Sequence, residues 1–330
     1  MLPPEETLSS SASYSEPGLM EARGGGAAAA VLCSMRPLSV GTRRLYQDLL
    51  LQAGAQLDVN VVSCSSKRSA LYTTVMLGHE AVARQLVIAG ADVNFEDPVR
   101  KRAVLNEATL GGHKQLATDL LIGGADPNCR SGPLKRSSLH VATLRGWGGI
   151  VSALLLRGAN KDALDDRGET PLIWASHRGH TSVVRTLLAA GADASIRGAF
   201  TFSALDYAAI WGHDGVIEAI AGHGADMNAR GNNGFTALHA ASQFDRAGAV
   251  DALVKAGADI EKTADGVTPL ATAAYTSNCK AMRYCSTERR LTMLERETDK
   301  RRCTRLAGAV KKGSGLWWIY YCDGEQTRQP

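Results

Sequence analysis

The feature that most limits what this chain can fold into is a pattern that returns every 33 or 34 residues. A Gly-Ala pair occurs at regular intervals, and the gaps between successive pairs are 34, 34, 33, 33 and 33 residues. The pairs begin at Gly90, Gly124, Gly158, Gly191, Gly224 and Gly257. A leucine recurs in step with them, at Leu71, Leu105, Leu139, Leu172, Leu205, Leu238 and Leu270. A fixed period of this length predicts a stacked array of similar units rather than one globular core.

The clearest copy of the unit, residues 168–195, predicts two short helices and an extended connection. Thr170 can cap the first helix through its side-chain oxygen, and Pro171 suits the first helical position. Gly179 permits a tight turn between the helices, and Gly191 permits a left-handed residue after the second helix. Apolar residues at helical spacing give the second helix one apolar face, namely Val183, Val184, Leu187 and Leu188. Neither helix can bury its apolar face alone, so each unit depends on its neighbours.

These motifs resemble the ankyrin repeat, with its Thr-Pro-Leu-His start, its Gly-His turn and its Gly-Ala-Asp finish. The resemblance covers roughly residues 65–285, and the motif histidine is present at His140 and His239. In one copy Asp245 and Arg246 replace the Gly-His pair. The resemblance implies an all-α fold, an ankyrin-type solenoid of stacked helix–turn–helix repeats with extended β-hairpin-like fingers.

Four segments are predicted along the chain. Residues 1–35 are rich in Ser, Pro, Glu, Gly and Ala, and we expect them to be disordered. Residues 36–64 are interpreted as a degenerate N-terminal capping repeat, and residues 65–285 as six full repeats and a partial seventh. Residues 286–330 are a basic tail that ends in large apolar and aromatic residues. This tail either covers the open end of the array or is a poorly ordered extension.

Composition and motifs argue against several functions. No apolar run approaches the ~18 residues that a membrane helix needs, and the net charge of +4 does not by itself indicate nucleic acid. The seven cysteines form no Cys-x-x-Cys pair, which favours a reducing compartment, the cytoplasm or the nucleus. The sequence contains no phosphate-binding loop, no kinase signature and no zinc helix. We therefore expect no catalytic activity, no metal site, no cofactor and no small-molecule substrate.

The resemblance also implies where a partner binds, because first helices and fingers line the concave face of such arrays. The two residues before each Gly-His turn are expected to point into this groove. The candidate contacts there are Leu77, Leu144, Arg145, His177, Arg178, Ile210, Trp211, Phe244 and Tyr275. Aromatic and arginine side chains are enriched at binding hot spots. Packing against the next helix is the alternative interpretation for these side chains.

The fingers carry an uneven charge. The first three fingers are basic through Lys67, Arg68, Arg100, Lys101, Arg102, Lys135 and Arg136. The next finger is acidic, and the one after it presents Phe200 and Phe202. The hypothesis is that the basic fingers attract an acidic segment of a partner while aromatic residues anchor apolar side chains. The alternative is that the basic side chains are merely solvated.

The function that the sequence favours is a non-catalytic adaptor or scaffold that binds a partner protein or peptide in the groove. Two alternatives remain open. The array could be the targeting subunit of an enzyme complex. The basic tail, with Trp317 and Trp318 after residues 283–312, could instead associate with a membrane surface or a nucleic acid.

Overall fold

The computed structural model describes residues 59–60, 62, 67–198, 200–231 and 234–276. The predictions for residues 1–35, for most of the cap at 36–64 and for the tail at 286–330 lie outside the described residues. The prediction for the last part of the array, residues 277–285, lies outside them as well.

Helices alternate along the described chain: six repeats have a first helix and a second helix joined by a short turn, and the described part of the seventh has a first helix. The first helices are α1 (Ala70–Met76), α3 (Val104–Leu110), α5 (Ser138–Arg145), α7 (Pro171–Arg178), α9 (Ala204–Trp211), α11 (Ala237–Gln243) and α13 (Pro269–Tyr275). The second helices are α2 (Glu80–Ile88), α4 (Lys114–Ile122), α6 (Gly148–Leu156), α8 (Thr181–Ala189), α10 (Asp214–Ala221) and α12 (Ala247–Lys255).

Short antiparallel hairpins form the fingers between repeats. Strand β1 (Glu96–Asp97) pairs with β2 (Arg102–Ala103), and β3 (Arg130–Ser131) pairs with β4 (Arg136–Ser137). Neighbouring fingers are joined by backbone hydrogen bonds, in which the Gly132 N–H donates to the Lys101 carbonyl at 2.6 Å. The all-α solenoid with hairpin fingers is therefore confirmed.

The core is shared between repeats. First helices pack on the first helices of the next repeat, and second helices pack on second helices. The recurring leucine is at most 5% exposed in six repeats, at Leu71, Leu105, Leu139, Leu172, Leu205 and Leu238. Each such side chain contributes about 1.5–3 kcal/mol through burial. Because most of this burial is against a neighbouring repeat, the stability of each repeat depends on the stacking.

In three turns, the residue before the second helix bonds to the first helix of the preceding repeat. The Nε2–H of His180 donates to the Leu144 carbonyl at 3.2 Å, and that of His213 donates to the His177 carbonyl at 3.2 Å. These bonds satisfy carbonyl groups that a helix end leaves without an intrahelical partner. The turn histidine therefore links adjacent first helices.

The copy that lacks Gly-His makes the same link with different residues. Asp245 adopts a φ of 52°, the left-handed conformation that glycine has at the other turns. Arg246 Nε donates to the Ile210 carbonyl at 2.9 Å, in the place of the histidine ring nitrogen. The change of sequence in this repeat therefore keeps both the left-handed turn and the hydrogen bond to the preceding first helix.

One turn glycine lies unusually close to the repeat that follows it. Gly112 has a φ of 73°, and a β-carbon added there would overlap the six-membered ring of Trp147. Gly124 has a φ of 91° in the equivalent turn after a second helix, and an added β-carbon would meet nothing within 4 Å. The two glycines share a left-handed backbone but differ in the space around them.

We expect Gly112→Ala to destabilise the chain more than Gly124→Ala. Both variants place an alanine in the left-handed backbone conformation, which costs about 1–2 kcal/mol of unfolding free energy. Only Gly112→Ala must also displace the indole, which adds about 1–3 kcal/mol. Urea unfolding followed by circular dichroism measures the difference. In a Trp147→Ala background the two glycine variants should become equal, and a persistent difference would contradict the packing explanation.

Candidate functional site

The predicted groove positions fall into two classes of exposure. The residue immediately before each turn residue is exposed in several repeats: Leu77 (36%), Arg145, Arg178 and Trp211 (37%). Phe244 occupies the same position, as the C-cap of α11, and is half-buried. These five residues occupy the same position of stacked repeats, a position that Gly111 fills in the second repeat, and we refer to the five as the inner row.

The other predicted residue of each pair, one position earlier in the chain, is more buried. Leu144, His177 and Tyr275 are half-buried. Ile210 is 5% exposed, so its side chain belongs to the core, and its carbonyl accepts the hydrogen bond from Arg246. This burial removes Ile210 from the candidate surface.

Aromatic rings meet where the inner row passes from α7 to α9. The His177 ring makes edge contacts with Trp174, Tyr207 and Trp211, at centroid distances of 5.8, 5.3 and 5.3 Å. Phe202, from the finger before α9, contacts Tyr207 at 5.6 Å. Edge-to-face pairs of this kind each contribute about 0.5–1.5 kcal/mol beyond burial. We refer to these five residues as the aromatic cluster.

A buried carboxylate fixes one end of the aromatic cluster. The side chain of Asp165 is fully buried and accepts hydrogen bonds from Trp174 Nε1 at 3.1 Å and from Arg136 Nε at 3.4 Å. The backbone N–H groups of Arg167 and Glu169 also donate to it, at 2.9 and 3.0 Å. The Arg136 guanidinium lies over the Trp174 ring, 4.1 Å from its centroid. The Asp165 carboxylate therefore accepts hydrogen bonds from its own finger, from the first helix α7 and from Arg136 of the preceding finger.

Glu169 holds the other end of the aromatic cluster, through Tyr207. Its carboxylate accepts a hydrogen bond from the Tyr207 hydroxyl at 2.9 Å, across one repeat boundary. Its carbonyl accepts a hydrogen bond from the ring of His140 at 3.0 Å, across the boundary before it. Burial raises the pKa of the Glu169 carboxyl, and the Tyr207 hydrogen bond partly opposes that effect. A short acidic finger thus joins three consecutive repeats.

Sequence reasoning missed Trp174, Tyr207, Asp165 and Glu169 as members of this site. The available signals were the 33-residue interval between Trp174 and Tyr207 and the acidic character of the finger. Neither signal indicates which carboxylate meets which ring.

The basic residues of the fingers divide into two groups. Arg68 pairs with the fully buried Asp97 at 2.8 Å, and Arg136 pairs with Asp165. Although burial raises the pKa of Asp97, hydrogen bonds from the Val99 N–H and from Arg68 bring it below its usual value. These guanidinium groups therefore hold neighbouring fingers together.

The second group is more exposed. Lys67 and Lys101 are exposed, and Lys135 is 66% exposed beside Asp166 at 3.8 Å. All three adopt positive φ, at 56°, 51° and 44°, and occupy the same position of successive fingers. We refer to them as the lysine tips. Arg100 and Arg102 are intermediate, since both pair with Glu107, at 3.2 and 3.4 Å, while 43% and 36% exposed.

The finger that precedes α9 contributes two phenylalanines with different surroundings. Phe200 is 51% exposed near the tip of the finger, whereas Phe202 is half-buried against Tyr207. Phe200 is therefore the more accessible of the two rings, whereas Phe202 belongs to the aromatic cluster through Tyr207.

Metal binding, thiol chemistry and membrane insertion each require particular groups among the described residues. Within the described ranges, no three His, Cys, Asp or Glu side chains come together as a metal-binding group. Cys129 is a partly buried free thiol, and burial raises its pKa to about 11, which makes it a poor nucleophile at neutral pH. In the described part of the chain, every helix is too short or too polar to span a bilayer.

Stacked helix pairs, hairpin fingers and hydrogen bonds from His180, His213 and Arg246 to the preceding first helices define a helical repeat protein with an interaction surface. The ankyrin family model, described as ankyrin repeats (3 copies), matches residues 105–198, 139–231 and 205–289. These overlapping matches span more than half of the chain. The chain therefore belongs to the ankyrin repeat family.

Comparison with solved structures agrees with this assignment. The crystal structure of the ankyrin repeat domain of Bcl-3, described as a unique member of the IkappaB protein family, has a TM-score of 0.55 to this chain. The two are 25% identical, and the match covers 61% of this chain and 91% of that chain. A search of curated protein sequences gave no significant match. Because 506 chains of known structure match significantly, the likeness identifies the fold and not a partner.

The His140 link predicts a defined pH dependence of stability. Burial lowers the pKa of His140 to about 4, although the Glu169 carbonyl partly opposes that effect. An unfolded chain protonates this imidazole near pH 6.5. Between these two values the unfolded state binds more protons, so the stability contributed by His140 is complete above about pH 6.5 and is lost as the pH falls towards 4.

We expect His140→Asn to flatten this dependence, because Asn106 occupies the same position of α3 without titrating. Between pH 6.5 and 4.5 the wild type should lose about 2 kcal/mol more unfolding free energy than the variant. The measurement is urea unfolding at a series of pH values. Parallel pH profiles for the two proteins would contradict the assignment.

Proposed function

We propose that this chain is a non-catalytic interaction module that binds a partner protein or peptide along the inner row and the fingers. In this proposal it acts as an adaptor or scaffold in the cytoplasm or the nucleus. The observation that carries the proposal is Trp211, which is 37% exposed and whose ring contacts His177 of the aromatic cluster. The exposed Arg178 occupies the equivalent position of the preceding repeat.

The physical argument is preorganisation. An exposed aromatic ring that is already fixed by its neighbours loses little conformational freedom when a partner covers it. Trp211 contacts His177, which contacts Trp174, and Trp174 is anchored on Asp165. Tryptophan and arginine are the side chains most often found at hot spots. This combination supports an anchor point for an apolar side chain of the partner.

The lysine tips support a second, electrostatic component. Their ammonium groups are more exposed than the guanidinium groups of Arg68 and Arg136, which pair with buried carboxylates. Three cations at one position of successive fingers favour a partner with an acidic segment. The proposed partner therefore presents acidic residues to the first fingers and an apolar residue to Trp211.

We expect Arg178→Glu to weaken partner capture about tenfold, because it places a repulsive charge beside the proposed anchor. The matched control is Arg185→Glu, the same change at an exposed position of the second helix α8. The full chain is immobilised, and captured proteins are quantified by mass spectrometry for the wild type and both variants. Equal capture by all three proteins, or equal loss in both variants, would contradict the inner row as the binding surface.

The lysine tips predict a salt-dependent affinity for the partner so identified. Replacing Lys67, Lys101 and Lys135 with Gln should reduce the affinity about tenfold at low salt and much less at 0.5 M salt, where exposed charges are screened. The control removes three positive charges from second helices through Lys114→Gln, Arg185→Gln and Lys255→Gln. Affinity that does not change with ionic strength in the wild type would exclude an acidic contact.

A further inference from the structure

Three large aliphatic side chains form an exposed row at the ends of the second helices of the first three repeats. Ile88, Ile122 and Leu156 are the last residues of α2, α4 and α6, and 72, 61 and 86% of their surfaces are exposed. They are 34 residues apart in both steps. Because α2 packs on α4 and α4 packs on α6, the three side chains are adjacent. We refer to them as the outer row.

Stacking does not require a large apolar residue at this position. In the next three repeats the position holds Ala189, Gly222 and Lys255, and α8, α10 and α12 stack in the same manner. The outer row is therefore not part of the packing that holds repeats together. Exposed aliphatic groups at three successive equivalent positions are the kind of patch that marks an interaction site.

The immediate surroundings of the first two positions of the outer row are also uncharged or neutralised, whereas the exposed Arg157 follows Leu156 at the third. Ala89 and Gly123 are exposed directly after Ile88 and Ile122. The nearest opposite charges, Arg84 on α2 and Asp119 on α4, pair with each other at 2.7 Å. The row is thus an apolar strip with little net charge along its first two positions.

The size of the strip limits what can cover it. Three aliphatic side chains expose roughly a few hundred Å², whereas a stable interface between two folded proteins buries about 800 Å² on each side. At a helix spacing of about 10 Å, the row is about 20 Å long. An extended segment of six residues has the same length, about 20 Å. The outer row therefore fits a short apolar segment better than a second copy of the array.

We propose that the segment 316–321 of this same chain, Leu-Trp-Trp-Ile-Tyr-Tyr, lies across the outer row. This segment has six large apolar or aromatic residues and no charge, in the basic tail whose role the repeats leave unassigned. Its length matches the row, and its side chains supply the apolar surface that the row lacks.

The connection is long enough for this contact. The described chain ends at Thr276, after the first helix of the seventh repeat, and the 39 residues 277–315 precede the apolar segment. Four repeats separate that helix from α6, which corresponds to about 40 Å. The greatest reach of a chain of this length is about 130 Å, about three times that distance. The contact is therefore within reach of a single chain.

Hydrogen exchange of the full chain tests the contact. Backbone amides of 316–321 should be protected at least about tenfold relative to an unstructured segment. The triple variant Ile88→Ser, Ile122→Ser and Leu156→Ser should lose this protection without a change in helical content, since all three side chains are exposed. The control triple variant Ala189→Ser, Gly222→Ser and Lys255→Ser, at the equivalent exposed positions, should retain it. Unprotected amides in the wild type, or unchanged protection in the first variant, would overturn the proposal.

A photoreactive benzoylphenylalanine in place of the exposed Gln85 distinguishes the occupants of the row. The proposal predicts a crosslink from position 85 to 316–321 within one chain, at the mass of the monomer and independent of concentration. A crosslink to a second copy, or to another protein without any to 316–321, would assign the outer row to a different occupant and refute the intrachain contact.

Discussion

Burial of apolar helix faces between neighbouring repeats is the interaction on which the structure depends. A single pair of short helices cannot remove its apolar side chains from water, and a nine-residue helix is too short to be stable alone. Leu105 and Leu139 are buried because helices of adjacent repeats cover them. The finger pairs and the turn links add directional bonds to this contact, and they fix the register of one repeat against the next.

Polar groups carry that register across repeat boundaries. Arg136 reaches Asp165, His140 reaches the Glu169 carbonyl, and Tyr207 reaches the Glu169 carboxylate. A buried carboxylate is tolerated only where donors surround it. The acidic finger therefore has a structural role. It holds the aromatic cluster in place and so determines how Trp211 is presented on the surface.

Two surfaces with different character result from one repeated unit. Exposed cationic and aromatic side chains collect on the first helices and fingers, whereas aliphatic side chains collect at the ends of three second helices. The two proposals concern these separate surfaces. Because a partner on the inner row and a chain segment on the outer row would contact different helices, neither proposal depends on the other.

The sequence by itself determined the repeat length, the stacked helix–turn–helix architecture, the recurring core leucines and the membership of the ankyrin family. It also indicated the inner row, because the Gly-His turn fixes which residues precede it. The tertiary structure decided that Ile210 is buried while Trp211 is exposed, and that Arg68 and Arg136 pair inwards while the lysine tips remain outside. The physical reason is that contacts between neighbouring repeats join residues 29, 36 or 38 positions apart, and each separation differs from the repeat period of 33 or 34. Periodicity fixes what is equivalent between repeats, but only packing in three dimensions fixes which non-equivalent side chains meet.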